Sequence, residues 1–370
     1  MTRPRCSSGG RPGLISGRVT SPLSNQTSAT GQARNSAILI TGASGEVGHG
    51  LIEAVHAAGH RNIVALDIRK IDRHLRAMCM DTFVGDICDA SLLGRMLAMY
   101  EIHSIFHLAA LLSTRAEFSP EAAHDVNVGG TMALLRLAAE QARSHGHRVK
   151  FIFPSSIAAY GLPDIETKAA AGRIAEDNFL SPNTMYGCNK LYCEHLGRYY
   201  QTHCRQLAKD RIANVIDFRC VRYPGLLSAA TVPSGGTSDY APEMIHAAAR
   251  GRPYACFVRP DTRIPLMTMP DAIRATLGLA LADKTTLGRT VYNIGAFSPS
   301  AGEFADTVLE HFPTAQITFE PDSERQKIVD SWPEDVDDSA ARRDWGFTPQ
   351  HDLHSAFVEY LVPGIKSRYE

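Results

Sequence analysis

The run Thr41-Gly42-Ala43-Ser44-Gly45-Glu46-Val47-Gly48 constrains this chain more than any other stretch. It follows a short apolar segment, Ala37-Ile38-Leu39-Ile40, and opens a helical pattern. Glycines spaced as GxxGxxG let the backbone turn tightly and approach a ligand closely. The unsatisfied N–H groups of the helix start then face that ligand at the positive end of the helix dipole. Gly42, Gly45, Glu46, Val47 and Gly48 are therefore candidate cofactor-binding residues, with pyrophosphate as the expected guest. A second apolar run, residues 62–67, ends in Asp67, about 20 residues beyond the loop. A carboxylate there accepts hydrogen bonds from ribose hydroxyls and repels a 2′-phosphate, which predicts NAD over NADP. Arg69 and Lys70 weaken that preference slightly. Taken by itself, Asp67 also reads as a solvated charge at a strand end.

Further apolar runs at 104–108, 149–153 and 215–219 alternate with helical patterns such as 121–143. That alternation predicts an α/β fold: a Rossmann-type doubly wound parallel sheet covered on both faces. Beyond Pro224 the pattern turns irregular, rich in Gly, Ser and Pro. Residues 36–223 are thus expected to form the NAD-binding Rossmann domain. Residues 224–370 are expected to form mainly a smaller substrate-binding lobe, interleaved with returns to the sheet. A formal net charge of -1 and the lack of a Lys/Arg stripe argue against nucleic acid. No apolar run is long enough for a helix to cross a bilayer. The eight cysteines form no CxxC and read as free thiols in a reducing compartment. No clustered Cys/His set for a catalytic zinc is visible, so no metal is expected.

Residues 1–35 stand apart. They carry Arg3, Arg5, Arg11, Arg18 and Arg34, many small polar residues, and neither Asp nor Glu. This composition predicts a disordered leader acting as a mitochondrial transit peptide, with the matrix as destination. A plain disordered tail on a cytoplasmic protein is the alternative.

Tyr186-Gly187-Cys188-Asn189-Lys190 is a YxxxK motif. On a helix, positions i and i+4 share a face, so a phenol and an ammonium stand side by side. A neighbouring cation favours phenolate and lowers the phenol pKa, which fits Tyr186 as a general base with Lys190 as its partner. Pro182 is consistent with a helix starting near residue 183 or 184. Ser155 and Ser156 lie at the end of the run that begins at residue 149, where ligands of doubly wound sheets bind. Either hydroxyl can serve the reacting oxygen, and either can simply cap a turn.

The glycine loop, the serine pair and YxxxK, in this order and spacing, resemble the extended short-chain dehydrogenase/reductase (NAD-dependent epimerase/dehydratase) family. Gly85-Asp86-Ile87 resembles the family's turn after the third strand, bordering adenine, and Leu108-Ala109-Ala110 its fourth-strand end beside the cofactor. The resemblance favours Ser156, four residues before Tyr160-Gly161, as the catalytic hydroxyl. Later segments resemble the L-threonine 3-dehydrogenase branch: Arg222-Tyr223-Pro224-Gly225, Ser234-Gly235-Gly236-Thr237-Ser238-Asp239, Met269-Pro270-Asp271-Ala272 and Asp330-Ser331-Trp332-Pro333. The likeness runs from about Ala37 to the C-terminus. It implies NAD-dependent oxidation of L-threonine to 2-amino-3-oxobutyrate, with Tyr186 and Lys190 also touching the cofactor. Ser113, Ser156, Tyr186 and Thr237 are implied substrate contacts, and Trp332 a lid, although core packing explains a tryptophan equally well. Arg222 reads as an ion-pair residue rather than a carboxylate clamp. L-threonine is the implied small-molecule partner, and a homodimer is left open.

The chain departs from the branch in two places. Asn183-Thr184-Met185 precedes Tyr186 where Ser and Val are commoner, and the 162–181 loop is long. Two alternatives remain in view. A nucleotide-sugar epimerase of the same family would need a larger pocket. The related dehydratases carry Asp-Glu where Ile157-Ala158 stand. A non-catalytic NAD-binding protein sits poorly with the retained Ser156, Tyr186 and Lys190.

Overall fold

The computed structural model describes residues 35–233 and 235–369. The leader expectation lies outside these residues, apart from Asn35, which opens the first strand. The N-terminal half runs β1 (Asn35–Thr41), α1 (Glu46–Ala57), β2 (Ile63–Asp67), α2 (Arg73–Arg76), β3 (Asp81–Val84), α3 (Ala90–Met99) and β4 (Tyr100–His107). It continues through α4 (Ser113–Phe118), α5 (Pro120–His124), one π-helical turn (Asp125–Gly129), α6 (Gly130–His145), β5 (Val149–Ser156), α7 (Ile165–Ala171), β6 (Arg173–Ile174), α8 (Met185–Thr202) and β7 (Ile216–Tyr223). Then follow β8 (Gly225–Leu227), α9 (Tyr240–Ala249), β9 (Tyr254–Cys256), β10 (Leu266–Thr268), α10 (Met269–Leu281), β11 (Val291–Asn293), α11 (Ala301–His311), β12 (Ile317–Phe319), α12 (Ser323–Asp330), β13 (Asp335–Val336), α13 (Ser339–Trp345), α14 (Leu353–Ser355) and α15 (Val362–Tyr369).

Seven parallel strands form the central sheet, in the order β11-β7-β5-β4-β1-β2-β3. The direction of winding reverses between β1 and β4, the kind of switch point outside whose C-terminal strand ends ligands of such sheets bind. Because side chains alternate along a strand, each face of the sheet has its own core. Ile38, Ile40, Phe106 and Ile152 meet Leu51, Ile52 and Val55 of α1 and Met269 and Ile273 of α10. Leu39, Val64, Ile105 and Phe151 meet Leu134, Leu135 and Ala138 of α6 and Cys193 of α8. Burial on both faces explains why the inner strands read as largely apolar runs in the sequence.

The smaller lobe has its own core around Tyr240, Met244, Phe304, Trp332, Phe357 and Ile365. Yet β11 pairs with β7, and α10 covers one face, so the C-terminal half also completes the sheet. The long 162–181 segment is not a bare loop. It holds α7 and β6, and β6 pairs with β13 of the distant C-terminal stretch.

Candidate active site

The loop after β1 is a cradle that side chains would fill. Gly42 adopts φ +67°, and a Cβ there would come within 2.6 Å of Ala109 N and 2.7 Å of the Leu108 carbonyl carbon. A Cβ on Gly48 would lie 2.5 Å from Gly42 O. These two glycines let the loop lie against the end of β4 and let α1 begin tight against the loop. Gly45 is the helix N-cap and offers no side-chain acceptor, leaving the first-turn amides open to a ligand. Glu46 and Val47 occupy the first turn. Burial raises the Glu46 carboxyl above its ordinary value, while the Thr231 hydroxyl offsets part of the rise.

Asp67 is not a solvated charge. It is 8% exposed, and its two oxygens accept N–H bonds from Ser44 (2.9 Å) and Arg69 (2.8 Å). Arg69 reaches back to Ser44 O (2.6 Å), so the carboxylate and arginine together lock the glycine loop to the end of β2. Asp86 accepts from Cys88 N (2.8 Å) in the turn after β3, and Ile87 is buried at the base of α6. Leu108, Ala109 and Ala110 follow β4 half-buried, beside the cradle. An open amide row, a close backbone approach and a carboxylate at the next strand end fit a dinucleotide.

Ser156 closes β5, and its hydroxyl accepts from Ala158 N (3.1 Å), capping the short turn Ile157–Ala159. Accepting this N–H leaves the hydroxyl proton free to donate elsewhere. Ser155 is 2% exposed, and its Oγ has no hydrogen-bond partner among the described residues. Helix α8 presses on that turn: a Cβ on Gly187 would lie 2.0 Å from Ala158 O. This approach brings Tyr186 to the end of β5. The helix starts at Met185, with Thr184 as its cap, accepting from Gly187 N (3.1 Å). Lys190 Nζ donates to Pro154 O (2.6 Å), sits 4.6 Å from the Phe153 ring centre, and lies 5.5 Å from that of Tyr186.

The electrostatics differ from the expectation for YxxxK. Burial pushes the Tyr186 phenol up, not down. It also pushes Lys190 down to about 8. The ammonium is turned to a backbone carbonyl and faces the ring rather than bonding the phenol oxygen. In the chain alone, desolvation outweighs the charge of Lys190 at the phenol.

Ser113 and Thr237 are brought together from opposite halves of the chain: Thr237 Oγ1 donates to Ser113 Oγ at 3.2 Å. Arg325 holds this turn by donating to Gly236 O (2.7 Å). Helix α4, which begins at Ser113, reaches the start of α8, where Glu117 Oε1 accepts from Met185 N (2.8 Å). Trp332 is no exposed lid. It is 3% exposed in the core of the smaller lobe, against which Tyr186 packs, and its Nε1 has no hydrogen-bond partner among the described residues. Arg222 is fully buried and pairs with Glu194, its Nη2 2.6 Å from Oε2, as an ion-pair residue does.

Other supporting residues carried no motif. Asn127, in the π-helical turn, clips the backbone of Leu111 from both sides, accepting from its N (2.7 Å) and donating to its O (3.0 Å). His107 lies between Thr41 Oγ1 and Thr131 Oγ1, 2.9 Å from each, and burial pushes it down to about 3. It is therefore a neutral link between the glycine loop and α6. A polar residue that breaks an apolar strand, as His107 does, is the only signal the sequence offers.

Cradle, acidic strand end and Ser/Tyr/Lys group at the switch point define a nucleotide-binding enzyme of the extended short-chain class. The profile of the NAD dependent epimerase/dehydratase family matches residues 38–295, and the chain belongs to that family. Within it, the chain is 36% identical over 340 residues to the mitochondrial L-threonine 3-dehydrogenase of Bos taurus, covering 91% of this chain and 85% of that one. It is 34% identical to an uncharacterized epimerase/dehydratase of Staphylococcus saprophyticus, covering 90% and 97%. Among solved structures, the holo form of the GalE-like L-threonine dehydrogenase from Cupriavidus necator superposes with a TM-score of 0.77 at 34% identity, covering 90% and 100%.

Proposed function

We propose that the chain oxidises L-threonine with NAD, giving 2-amino-3-oxobutyrate, NADH and a proton. The observation that carries this reading is that three parts lie at the C-terminal end of the same parallel sheet. These are the glycine cradle of β1, the Ser156 turn of β5 with Tyr186 and Lys190 of α8, and the Ser113–Thr237 pair. NAD, held by the cradle and Asp67, supplies the hydride acceptor. Tyr186 takes the proton from the threonine hydroxyl as its carbon loses hydride, Ser156 donates a hydrogen bond to the same oxygen, and Lys190 stabilises the phenolate. Ser113 and Thr237 bind the amino-acid end, and Trp332 backs the Tyr186 wall without touching solvent. The 34–36% identity to proteins named threonine dehydrogenases over about nine-tenths of the chain supports this substrate over a nucleotide sugar. The Arg-rich, acid-free leader directs the protein to the mitochondrial matrix in this reading, and the cattle relative is likewise named mitochondrial.

The test is NADH formation from NAD with L-threonine, L-allo-threonine, L-serine and nucleotide sugars. Turnover is expected with L-threonine. Conversion of a nucleotide sugar with no turnover of threonine would move the chain to the epimerase reading.

A further inference from the structure

At the opposite end of the sheet, four residues without a part in the dehydrogenase chemistry meet. Glu101 and His103 sit two apart near the start of β4, and His145 and His147 flank the end of α6. Gly146, between the two histidines, adopts φ +71° and turns the chain so that both rings face Glu101. His103 is itself an irregularity: where β1 pairs with β4, Ala37 matches Ile102 and Ile38 matches Ser104, leaving His103 as an extra residue. Bulges of this kind re-aim a side chain.

The distances suit ligands better than ion pairs. His103 Nε2 lies 3.5 Å and His147 Nδ1 3.4 Å from the same oxygen, Oε1 of Glu101, and His145 Nδ1 lies 4.0 Å from Oε2. A charge-assisted hydrogen bond would be about 2.7–2.9 Å. Two ligands on a tetrahedral ion with bonds of about 2.0–2.2 Å stand about 3.3–3.6 Å apart. Ligand atoms of Glu101, His103 and His147 all lie within 4.8 Å of one another. The His103 and His147 rings stack at 4.1 Å, which two imidazolium cations would not tolerate.

We propose that Glu101, His103 and His147, with His145 alongside, form a binding site for a divalent transition-metal ion such as Zn²⁺. An ion there clips β4 to the α6–β5 corner. Imidazole and carboxylate are the donors zinc accepts, and the negative end of α6 adds to the attraction for a cation. Side-chain exposures of 10% to 27% leave an entry path from solvent. Six residues of extended β4 separate Glu101 from His107 at the catalytic end, about 20 Å. The ion is therefore structural and takes no part in hydride transfer.

The experiment uses the full chain, stripped with a chelator and titrated with Zn²⁺ by calorimetry and with Co²⁺ by visible absorption. One ion per chain is expected, with a four-coordinate cobalt spectrum lacking a thiolate charge-transfer band. Affinity should fall about 100-fold or more in His145→Ala/His147→Ala, since even outer-shell losses cost 10–100-fold. It should also fall in the near-isosteric Glu101→Gln, which guards against misfolding of the double variant. Zinc should raise the melting temperature of wild type but not of the double variant, and turnover should be the same with and without chelator. Absence of stoichiometric binding, a thiolate band, or undiminished affinity in both variants would overturn the site.

Discussion

The Arg222–Glu194 pair offers the sharpest test of how α8 is held. Tyr186, Lys190 and Glu194 follow one another at four-residue spacing along α8, so the reacting pair and the ion pair share one helical stripe. Glu194 meets Arg222 of β7 in two parallel bonds, at 2.9 and 2.6 Å, and both side chains are 0% exposed. Arg222 also donates to Tyr160 Oη (2.9 Å) and Glu176 O (2.7 Å). Burial opposes the guanidinium charge, but Glu194 outweighs it and keeps the group firmly protonated. Glu194→Gln keeps the shape and strands that cation away from water. Breaking a buried pair from one side costs about 3–5 kcal/mol. At about 2.1 cal/mol/K per residue of unfolding entropy, this corresponds to a melting point lower by roughly 4–7 °C. Replacing both partners with apolar residues, Glu194→Leu with Arg222→Met, should recover most of the loss, because desolvation of the two charges disappears together. Denaturant and thermal unfolding of wild type, the two single variants and the double variant form the cycle. A Glu194→Gln loss below about 1 kcal/mol, or a double variant no more stable than either single one, would refute the account.

Tyr186→Phe should lower threonine turnover by about 10²–10⁴-fold while NAD affinity changes little, and near-normal turnover would remove the phenol from the mechanism. Since burial raises that phenol, a cofactor-free ultraviolet difference titration of wild type against Tyr186→Phe should show no phenolate from Tyr186 at pH 8, and a signal there would contradict the raised pKa. Asp67→Ala should weaken NAD binding about 10- to 100-fold, as loss of hydrogen bonds to a charged group predicts, and narrow the gap to NADP; equal wild-type affinity for both cofactors would sink this. Lys190 titrates near 8 when folded against 10.5 in an ordinary setting, so between those values the unfolded chain binds more protons and wild-type stability rises with pH. Below 8 both states are protonated and the burial penalty is complete, so the stability of wild type relative to Lys190→Met should be greater at pH 10 than at pH 7; the opposite trend would refute it.

The inner strands were legible because they are buried on both faces and read as largely apolar runs, and the glycine loop because Gly42 and Gly48 cannot be anything larger where they sit. Asp67 was legible as a position but not as a lock: its bonds to Ser44 and Arg69 join backbone amides that no sequence pattern marks. The rise of the phenol in the cofactor-free chain was not legible, because an i, i+4 spacing reports proximity and says nothing of desolvation. Trp332 could not be placed, since an indole on a helix end looks the same whether it covers a pocket or fills a core. Asn127 escaped because its partner Leu111 lies 16 residues away, and the Glu101/His103/His145/His147 group because its β4 half and its α6–β5 half are more than 40 residues apart.

The position of β11 at the sheet's edge has a consequence for how the protein is made. β7 is buried along its whole length in the finished fold, and among the described residues one of its edges pairs only with Val291–Asn293. During synthesis that edge stands open from the moment residue 223 leaves the ribosome until residue 293 follows. At about 5–20 residues per second, the gap lasts roughly 4–14 seconds. For that time a nascent sheet with an unpaired strand edge is exposed to any other chain able to pair with it. A stop or a slow stretch of translation between the two strands would lengthen the exposure, and fragments ending near residue 223 should be captured by chaperones or aggregate rather than accumulate as a free nucleotide-binding unit.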